Sequence, residues 1–405
     1  MADRYRDRRS ERRCSRATSA VTPSARRLVG ALLAGLSLSS AALAGCAQFP
    51  DEHPGTWREQ PSLRPQAGPT PSVEGEAPPL PPDPAQQPGE PPGPCVDPDP
   101  SVVATCLGPV GALTPLPQGG GALVAERTTG RILRVNQGSE PVEIARVPVD
   151  PDGGGGLTGL ALSPTYAEDQ LLYAYATSGS SNEVVRIAPG DSPKPVVTGI
   201  PKGSSGNAGS VADDGHGALV VATGNAGSPQ SANDPGSLAG KVLRIDGLGA
   251  PAPGNPVPDS PVVSAGLSSP GGICTVPGSD SFWVTDRGGP RESLQRVQPG
   301  QPPSQAWTWQ DRPGVAGCAA SDKQVVVALN DASALYTLTP TPEGGFSGEP
   351  AKVMENTYGK FSAATVGSDG LFWLGTANKA GGRPGPTDDR VVRIEPPSGG
   401  AAGKD

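Results

Sequence analysis

The chain carries two histidines, His53 and His216, and six cysteines, and these bound its chemistry more tightly than any other residues. A Ser-His-Asp relay needs an imidazole held by an acid and touching a hydroxyl, and a His-ligated metal needs its donors on neighbouring elements. His53 lies in a Pro-rich run, and His216 sits between two glycines in SSGNAGSVADDGHGALVVATGNAG, residues 204–227. The tetrad Asp214-Gly215-His216-Gly217 reads as a hairpin connection exposed at a rim, so His216 is expected as a turn residue and not as a base. Neither apparatus can then be assembled. Paired carboxylates drawn from Asp213, Asp214, Asp286 and Glu292 remain as a minor acid–base alternative.

Cys46 has a chemistry of its own. Arg26-Arg27 precede the apolar segment Leu28 to Ala44, too short and too rich in small residues for a comfortable membrane span, which closes in Leu43-Ala44-Gly45-Cys46. This is a lipobox: small residues admit a signal peptidase, and the Cys46 thiol takes a diacylglyceryl group. The sequence therefore predicts a signal peptide over 1–45 and a protein lipid-anchored through Cys46 on the extracytoplasmic face of the cell membrane. A cleaved signal with Cys46 unmodified is the alternative, and the export route is open between Sec and Tat, because Ala25 stands directly before the arginine pair.

Once Cys14 leaves with the leader and Cys46 is lipidated, four cysteines remain, and an even number in an oxidising compartment suggests two disulfides among three formal pairings. Cys95 with Cys106 closes a short loop, worth roughly 3 kcal/mol by chain entropy. Cys274 and Cys318 are expected as the second bridge, for a reason the repeats supply below. No CxxC and no His partner favours a metal, and none is expected.

Composition sets the class. Gly and Pro together exceed a quarter of the residues and aromatics are 4%, the profile of short strands and turns. Nine arginines against Asp3, Asp7 and Glu11 give the leader a balance of +6, which leaves −14 of the overall −8 for the rest. A mature chain so acidic repels phosphate backbones, so nucleic acid is not expected as a partner. From Phe49 to Pro100 about every third residue is Pro; with 46–104 assigned to a lipidated linker, this reads as a disordered, extended tether. Residues 399–405 read as a disordered tail.

Beyond Cys106 one pattern recurs: an apolar strand, a turn, a second strand ending in Ala, Thr or Asp, and later a third strand of the form V-Φ-R-Φ, where Φ is apolar. Copies cover 121–135, 157–187, 208–246, 270–297, 315–338 and 361–395, at the spacing of propeller blades. The expected fold is all-β, a six-bladed β-propeller over 105–398. Cys274 and Cys318 hold matching places in the fourth and fifth copies, which puts them at one height around the axis. Arg134, Arg186, Arg244, Arg296 and Arg393 recur in the third strands and are expected to be structural. Trp283 and Trp373 read as core between blades, and packing is also expected for Trp307 and Trp309, with carbohydrate stacking as their alternative. Asp234-Pro235-Gly236-Ser237 shapes a turn.

Three segments resemble the soluble glucose and sorbosone dehydrogenases. GNAGSVADDGHGALVVATGNAG and the later DPGSLAGKVLRID are similar to that family's HNGGRLAFGPDGKLYVTTGDAG and DPxSLAGKILRI. GGGGLTGLALSPTYAEDQLLYAYAT resembles GEGGLLGLALHPDFAENxxVYLYYT, and GLSSPGGICTVPGSDSFWVTDRGG resembles GLRNPQGLAWDPxTGxLWxTEHGP. The resemblance spans about 150–395 and implies a six-bladed propeller with a pyrroloquinoline quinone and calcium site at the channel mouth. The lipobox and acidic, Pro-rich tether are also similar to those of actinobacterial lipoproteins.

The departures fall on the chemistry. The histidine that opens HNGGR, the family's base, is Gly206 here, so no catalytic residue is assigned. The arginine of GLRNP, which holds the anionic cofactor, is Ser268, followed by Ser269; the polar residue of GEGG is Gly154; and TEHG becomes Asp286-Arg287 before Gly288. Losing a general base costs about 10²- to 10⁴-fold, and losing a cationic clamp removes charge-assisted hydrogen bonds. The expectation is a ligand- or protein-binding module of the cell envelope with no cofactor, its partner a carbohydrate or an envelope protein. The alternative is a quinone- and calcium-dependent aldose dehydrogenase with a rearranged site, and a third reading is a scaffold. Asn207, Asn225, Asp286, Arg287 and Lys379 adjoin strand ends facing one end of the channel and are the candidates for ligand contact.

Overall fold

The computed structural model describes residues 95–397, apart from 120 and 277. The signal peptide, Cys46, His53, the Pro-rich run up to 94 and the tail lie outside the described residues.

Within them the chain forms six four-stranded antiparallel sheets. Blade 1 comprises Val110–Pro115, Ala122–Glu126, Arg131–Val135 and Val142–Arg146, and blade 2 Leu157–Leu162, Leu172–Thr177, Asn182–Ile187 and Lys194–Ile200. Blade 3 is Gly209–Asp213, Leu219–Thr223, Lys241–Ile245 and Val262–Ala265, and blade 4 Pro270–Cys274, Phe282–Asp286, Glu292–Val297 and Ser304–Trp309. Blade 5 is Val315–Ala320, Val325–Leu329, Ala334–Pro340 and Phe346–Val353, and blade 6 starts with Phe361–Val366, Phe372–Thr376 and Val391–Ile394. The first strand of each blade touches the first strand of the next, and that of blade 6 touches that of blade 1, so the ring is closed and a channel runs down its axis.

Burial follows from this arrangement. The second strand of every blade is buried end to end, because neighbouring blades cover both of its faces. Outer strands face water, as in blade 1, where Val142 and Ile144 stay exposed. Inner strands are built from small residues so that blades can approach. A Cβ on Gly317 would lie 2.6 Å from the Ala364 backbone nitrogen, and one on Gly272 would lie 2.8 Å from the Gly317 Cα.

The expected boundary at 105 moves upstream. Val102–Ala104 pairs with Val391–Ile394 and is the outer strand of blade 6, so the ring is closed by its N-terminal segment. Three residues in a Pro-rich context carry no readable period, and only closure of the ring requires them. Cys95–Cys106 staples this segment, with Cα atoms 5.5 Å apart. Cys274–Cys318 joins the inner strands of blades 4 and 5, also at 5.5 Å. Both expected bridges are formed.

The recurring arginines do structural work in blades 3 and 6. Arg244 pairs with Asp214 at 2.6 Å, and Arg393 pairs with Asp369 while lying over the Trp373 ring, so each third strand is tied to the inner hairpin of its own blade. Trp283, Trp309 and Trp373 are buried; Trp309 stacks on Tyr336 at 5.7 Å and Trp283 lies 5.8 Å from Phe346, while Trp307 is half-buried.

Candidate functional site

Second strands finish, and inner strands begin, at the same end of the channel, where backbone bonds link them: Leu157 N to Arg127 O, Asn225 N to Ser268 O, Arg287 N to Ser269 O and Ala377 N to Lys360 O. This end is the mouth. Below it lies a cavity of about 300 Å³ lined by Gly, Ala, Ser, Thr and aliphatic residues of the six inner strands and by Cys274 and Cys318, with Asp213, at the far end, as the one charged residue among them.

Position 206 is at the mouth and cannot hold a side chain as built. Gly206 has φ +66, and a Cβ there would lie 2.7 Å from Asn225 Oδ1 and 2.9 Å from Gly227 N. Ala226 N donates to Gly206 O, and Asn225 Oδ1 accepts from Gly227 N, so the two loops are clasped around the missing side chain. The neighbouring Asn207 is fully buried. Its Oδ1 accepts from Gly203 N and its Nδ2 donates to Gly203 O, both at 2.8 Å, with a further bond to Asp152 O.

Carboxylates around the mouth are turned to backbone amides. Asp286, 3% exposed, accepts from Ser269 N at 2.7 Å, Ser268 N at 2.9 Å and Gln295 Nε2 at 3.1 Å. Glu292 accepts from Gly314 N and Val315 N, and Glu126 from Gly108 N. Asp389, enclosed between strands of blade 6, accepts from Asn378 N; burial pushes its carboxyl up to about 6. Lys241 is the counterpart in charge. Its ammonium, enclosed to 1%, donates to Ser231 O, Ala232 O and Ala239 O at 2.7–3.1 Å, and burial lowers its pKa. It fixes the loop holding Asp234-Pro235-Gly236-Ser237, where Gly236 N donates to Asp234 Oδ1 as the turn reading expects.

Two arginines lie beside these groups. Arg127 and Arg287 occupy one position of the repeat, directly after the acid that ends the second strand, Glu126 in blade 1 and Asp286 in blade 4. Arg127 is half-buried; its Nε donates to Gly155 O at 2.9 Å, and it forms no ion pair among the described residues. Burial holds its pKa below the usual guanidinium range, and the charge of Arg287 adds to the shift. Arg287 pairs with the exposed Asp331 at 2.9 Å, and its Nε lies 3.8 Å from Glu292. Lys360 shares Asp331 at 3.5 Å.

Of the five candidates for ligand contact, the structure brings all to the mouth but leaves two accessible. Asn207, Asn225 and Asp286 are buried with their polar atoms engaged by loop backbone, whereas Arg287 and Lys379 face outward, the Lys379 ammonium donating to Leu107 O at 2.7 Å. Sequence reasoning missed Arg127, although the recurrence of an acid-arginine pair at the end of a second strand was there to be read. His216 is at the opposite end, in the turn between Gly209–Asp213 and Leu219–Thr223, 3.4 Å from Asp280 of blade 4. Among the described residues no three His, Cys, Asp or Glu gather in a group that could hold a metal ion.

The family model for glucose/sorbosone dehydrogenase matches residues 109–302. The chain is similar to the aldose sugar dehydrogenase of Streptomyces coelicolor, solved in its quinone-bound form, with 32% identity over 73% of this chain and 96% of that one at a TM-score of 0.68. A putative glucose dehydrogenase of Thermus thermophilus shares 27% identity over 72% and 98%, at 0.67. The soluble aldose sugar dehydrogenase of Escherichia coli, at 17% identity and 0.64, shares the fold. No curated protein matches the chain. Fold and sequence similarity therefore agree, and the chain belongs to the glucose/sorbosone dehydrogenase family.

Proposed function

We propose that this protein is a lipid-anchored, extracytoplasmic propeller that binds a ligand at its channel mouth and does not oxidise sugars. The observation that carries the reading is Gly206: the backbone there is left-handed, and Asn225 and Gly227 occupy the space of a side chain. A sugar hydroxyl brought to this corner meets no imidazole at position 206, and the described imidazole, His216, is at the other end of the channel. General-base assistance requires hydrogen-bond reach.

The residues present do not match the quinone site that the family implies. Ser268, where the family's clamp arginine is expected, lies against Gly288 closely enough that a Cβ on that glycine would sit 1.8 Å from the Ser268 Cβ, and its amide is held by Asp286. With Gly206 as base position and Ser268 as clamp position, the residues do not fit the quinone-dependent reaction. No step is derived through that group.

The test is reconstitution of the purified protein with pyrroloquinoline quinone and Ca²⁺, followed by dye reduction with a panel of aldoses. Absence of turnover is expected, and sugar-dependent turnover overturns the reading. A working aldose dehydrogenase is the second reading, favoured by 32% identity to a quinone-bound relative. The anchor is tested by metabolic labelling with a fatty acid, which Cys46→Ala should abolish.

A further inference from the structure

We infer that the Cys95–Cys106 bridge is a thiol-sensitive latch: a dithiol reductant opens it while Cys274–Cys318 stays intact, and the segment that closes the ring is then released. The device acts on ring closure, whatever the mouth binds.

The two bridges differ in what surrounds them. Cys274 and Cys318 line the channel, but each is only 2% exposed, and they pack with Trp283, Val315 and Leu338 between the inner strands of blades 4 and 5. Attack on either sulfur needs that seam to part. Cys95, by contrast, is exposed and Cys106 half-buried. These two bracket Val102–Ala104, the outer strand of blade 6, which is three residues long and meets Val391–Ile394 through two registered pairs with an irregularity between them. So short an edge strand has little ladder of its own. Yet it seals two seams: Val102 packs in the cluster shared by blades 5 and 6, and Val103, Ala104 and Leu107 pack in the one shared by blades 6 and 1.

Opening follows thiol–disulfide exchange. A thiolate of the reductant attacks the exposed Cys95 Sγ, the bond between the two sulfurs breaks, and Cys106 leaves as a thiolate. The second thiol of the reductant then displaces Cys95, so the reductant ends as a disulfide and the cysteine pair holds the two electrons and two protons. The ties that remain upstream of the strand are polar and local. Asp97 pairs with Arg390 at 2.9 Å and accepts from the Thr387 hydroxyl, the Tyr358 hydroxyl donates to Asp99, and Arg393 N donates to Ser101 O. Against them stands the loop entropy that the bridge withheld. Cys106 itself has a left-handed backbone, φ +56, a state uncommon for a residue with a Cβ and one that the bridge helps to hold. Its release reaches the mouth through the next two residues. Leu107 N donates to Asp389 O, Leu107 O accepts from the Lys379 ammonium at 2.7 Å, and Gly108 N donates to Glu126.

The experiment exposes the full-length chain to graded dithiothreitol under native conditions, with iodoacetamide capture of thiols read by peptide mass and amide hydrogen exchange read on the same samples. Alkylation of Cys95 and Cys106 is expected about tenfold faster, or more, than that of Cys274 and Cys318. Exchange should rise with it by about tenfold in 101–107 and 389–394, and oxidised glutathione should restore protection. Reduction of both pairs together, reduction of Cys274–Cys318 first, or reduction of neither overturns the latch. So does opening of Cys95–Cys106 that leaves exchange in 101–107 unchanged, or a loss of protection that reoxidation does not reverse. The double variant Cys95→Ser with Cys106→Ser should show the raised exchange without reductant and gain none there when dithiothreitol is added; protection equal to that of the oxidised wild type overturns the latch as well. Should that variant fail to fold, exchange and reoxidation of the wild-type protein decide alone.

Discussion

At the mouth of the channel the buried ionic groups are bonded mainly to backbone, whereas at the opposite end the charged side chains of the hairpins also pair with one another. Asp286, Glu292, Asp389 and Lys241 are all buried and all bonded to main-chain amides or carbonyls of the mouth loops. At the far end Asp214 pairs with Arg244, Asp369 with Arg393, and His216 approaches Asp280 across a blade boundary. The mouth is thus a set of loops kept in place by charge, while the far end is a row of hairpins that their own turns define. Loops held in this way lock Gly206 into a shape with no room for a base.

The largest effect expected from this contrast is at Lys241. Lys241→Met leaves three carbonyls of the 231–239 loop without their donor, and should lower stability in urea unfolding by about 3 kcal/mol or more. Arg244→Met at the far end should cost less, since Asp214 keeps its bonds from His216 N and Ala218 N. Equal costs would remove the distinction between the two ends.

A second contrast is in pH. Asp389 has its folded pKa raised from 3.8 to about 6 by burial, so the fold prefers the protonated form. Its contribution is fully present below pH 3.8 and is lost as the pH rises to about 6, at about 1.4 kcal/mol per unit. Carboxylates with lowered pKa act below this window, so the informative quantity is the difference between wild type and Asp389→Asn. That difference should slope between pH 4 and 6 and flatten above; a flat difference throughout would contradict the buried, proton-bound state.

Gly206→His addresses the mouth directly. The left-handed backbone and the 2.7 Å contact with Asn225 predict a loss of about 1–3 kcal/mol in thermal melting, with no gain of dye reduction. The smallest effect is expected at His216. It is exposed, in a turn already fixed by Asp214, and His216→Ala should change stability by no more than about 0.5 kcal/mol.

Much of this architecture could be read in advance, because a blade repeats its pattern. Second strands such as LVVAT and FWVTD announce burial on both faces, and matched places in two copies pair Cys274 with Cys318, the bridge the structure contains. The closing strand Val102–Ala104 was not legible, since its partner lies almost three hundred residues away and nothing local marks it. The site was half legible. Spacing placed Asn207 and Asn225 at the mouth, but their burial depends on loops from several parts of the ring: Asn207 is enclosed by Asp152, Asn182 and Gly203, and Asn225 by Ser268. Arg127 escaped notice because a single acid-arginine pair is unremarkable; only its recurrence as Asp286-Arg287 on the opposite blade gives it meaning.

The most direct test of the central claim is stopped-flow observation of pyrroloquinoline quinone mixed with the Ca²⁺-treated protein and excess aldose. The quinone spectrum is expected to stay oxidised over minutes in the wild-type protein, which has no imidazole at position 206, and also in Gly206→His, where the left-handed backbone and the contact with Asn225 leave an imidazole no room to take up position. Rapid sugar-dependent reduction in the wild-type protein would show that another group accepts the proton, and would contradict it.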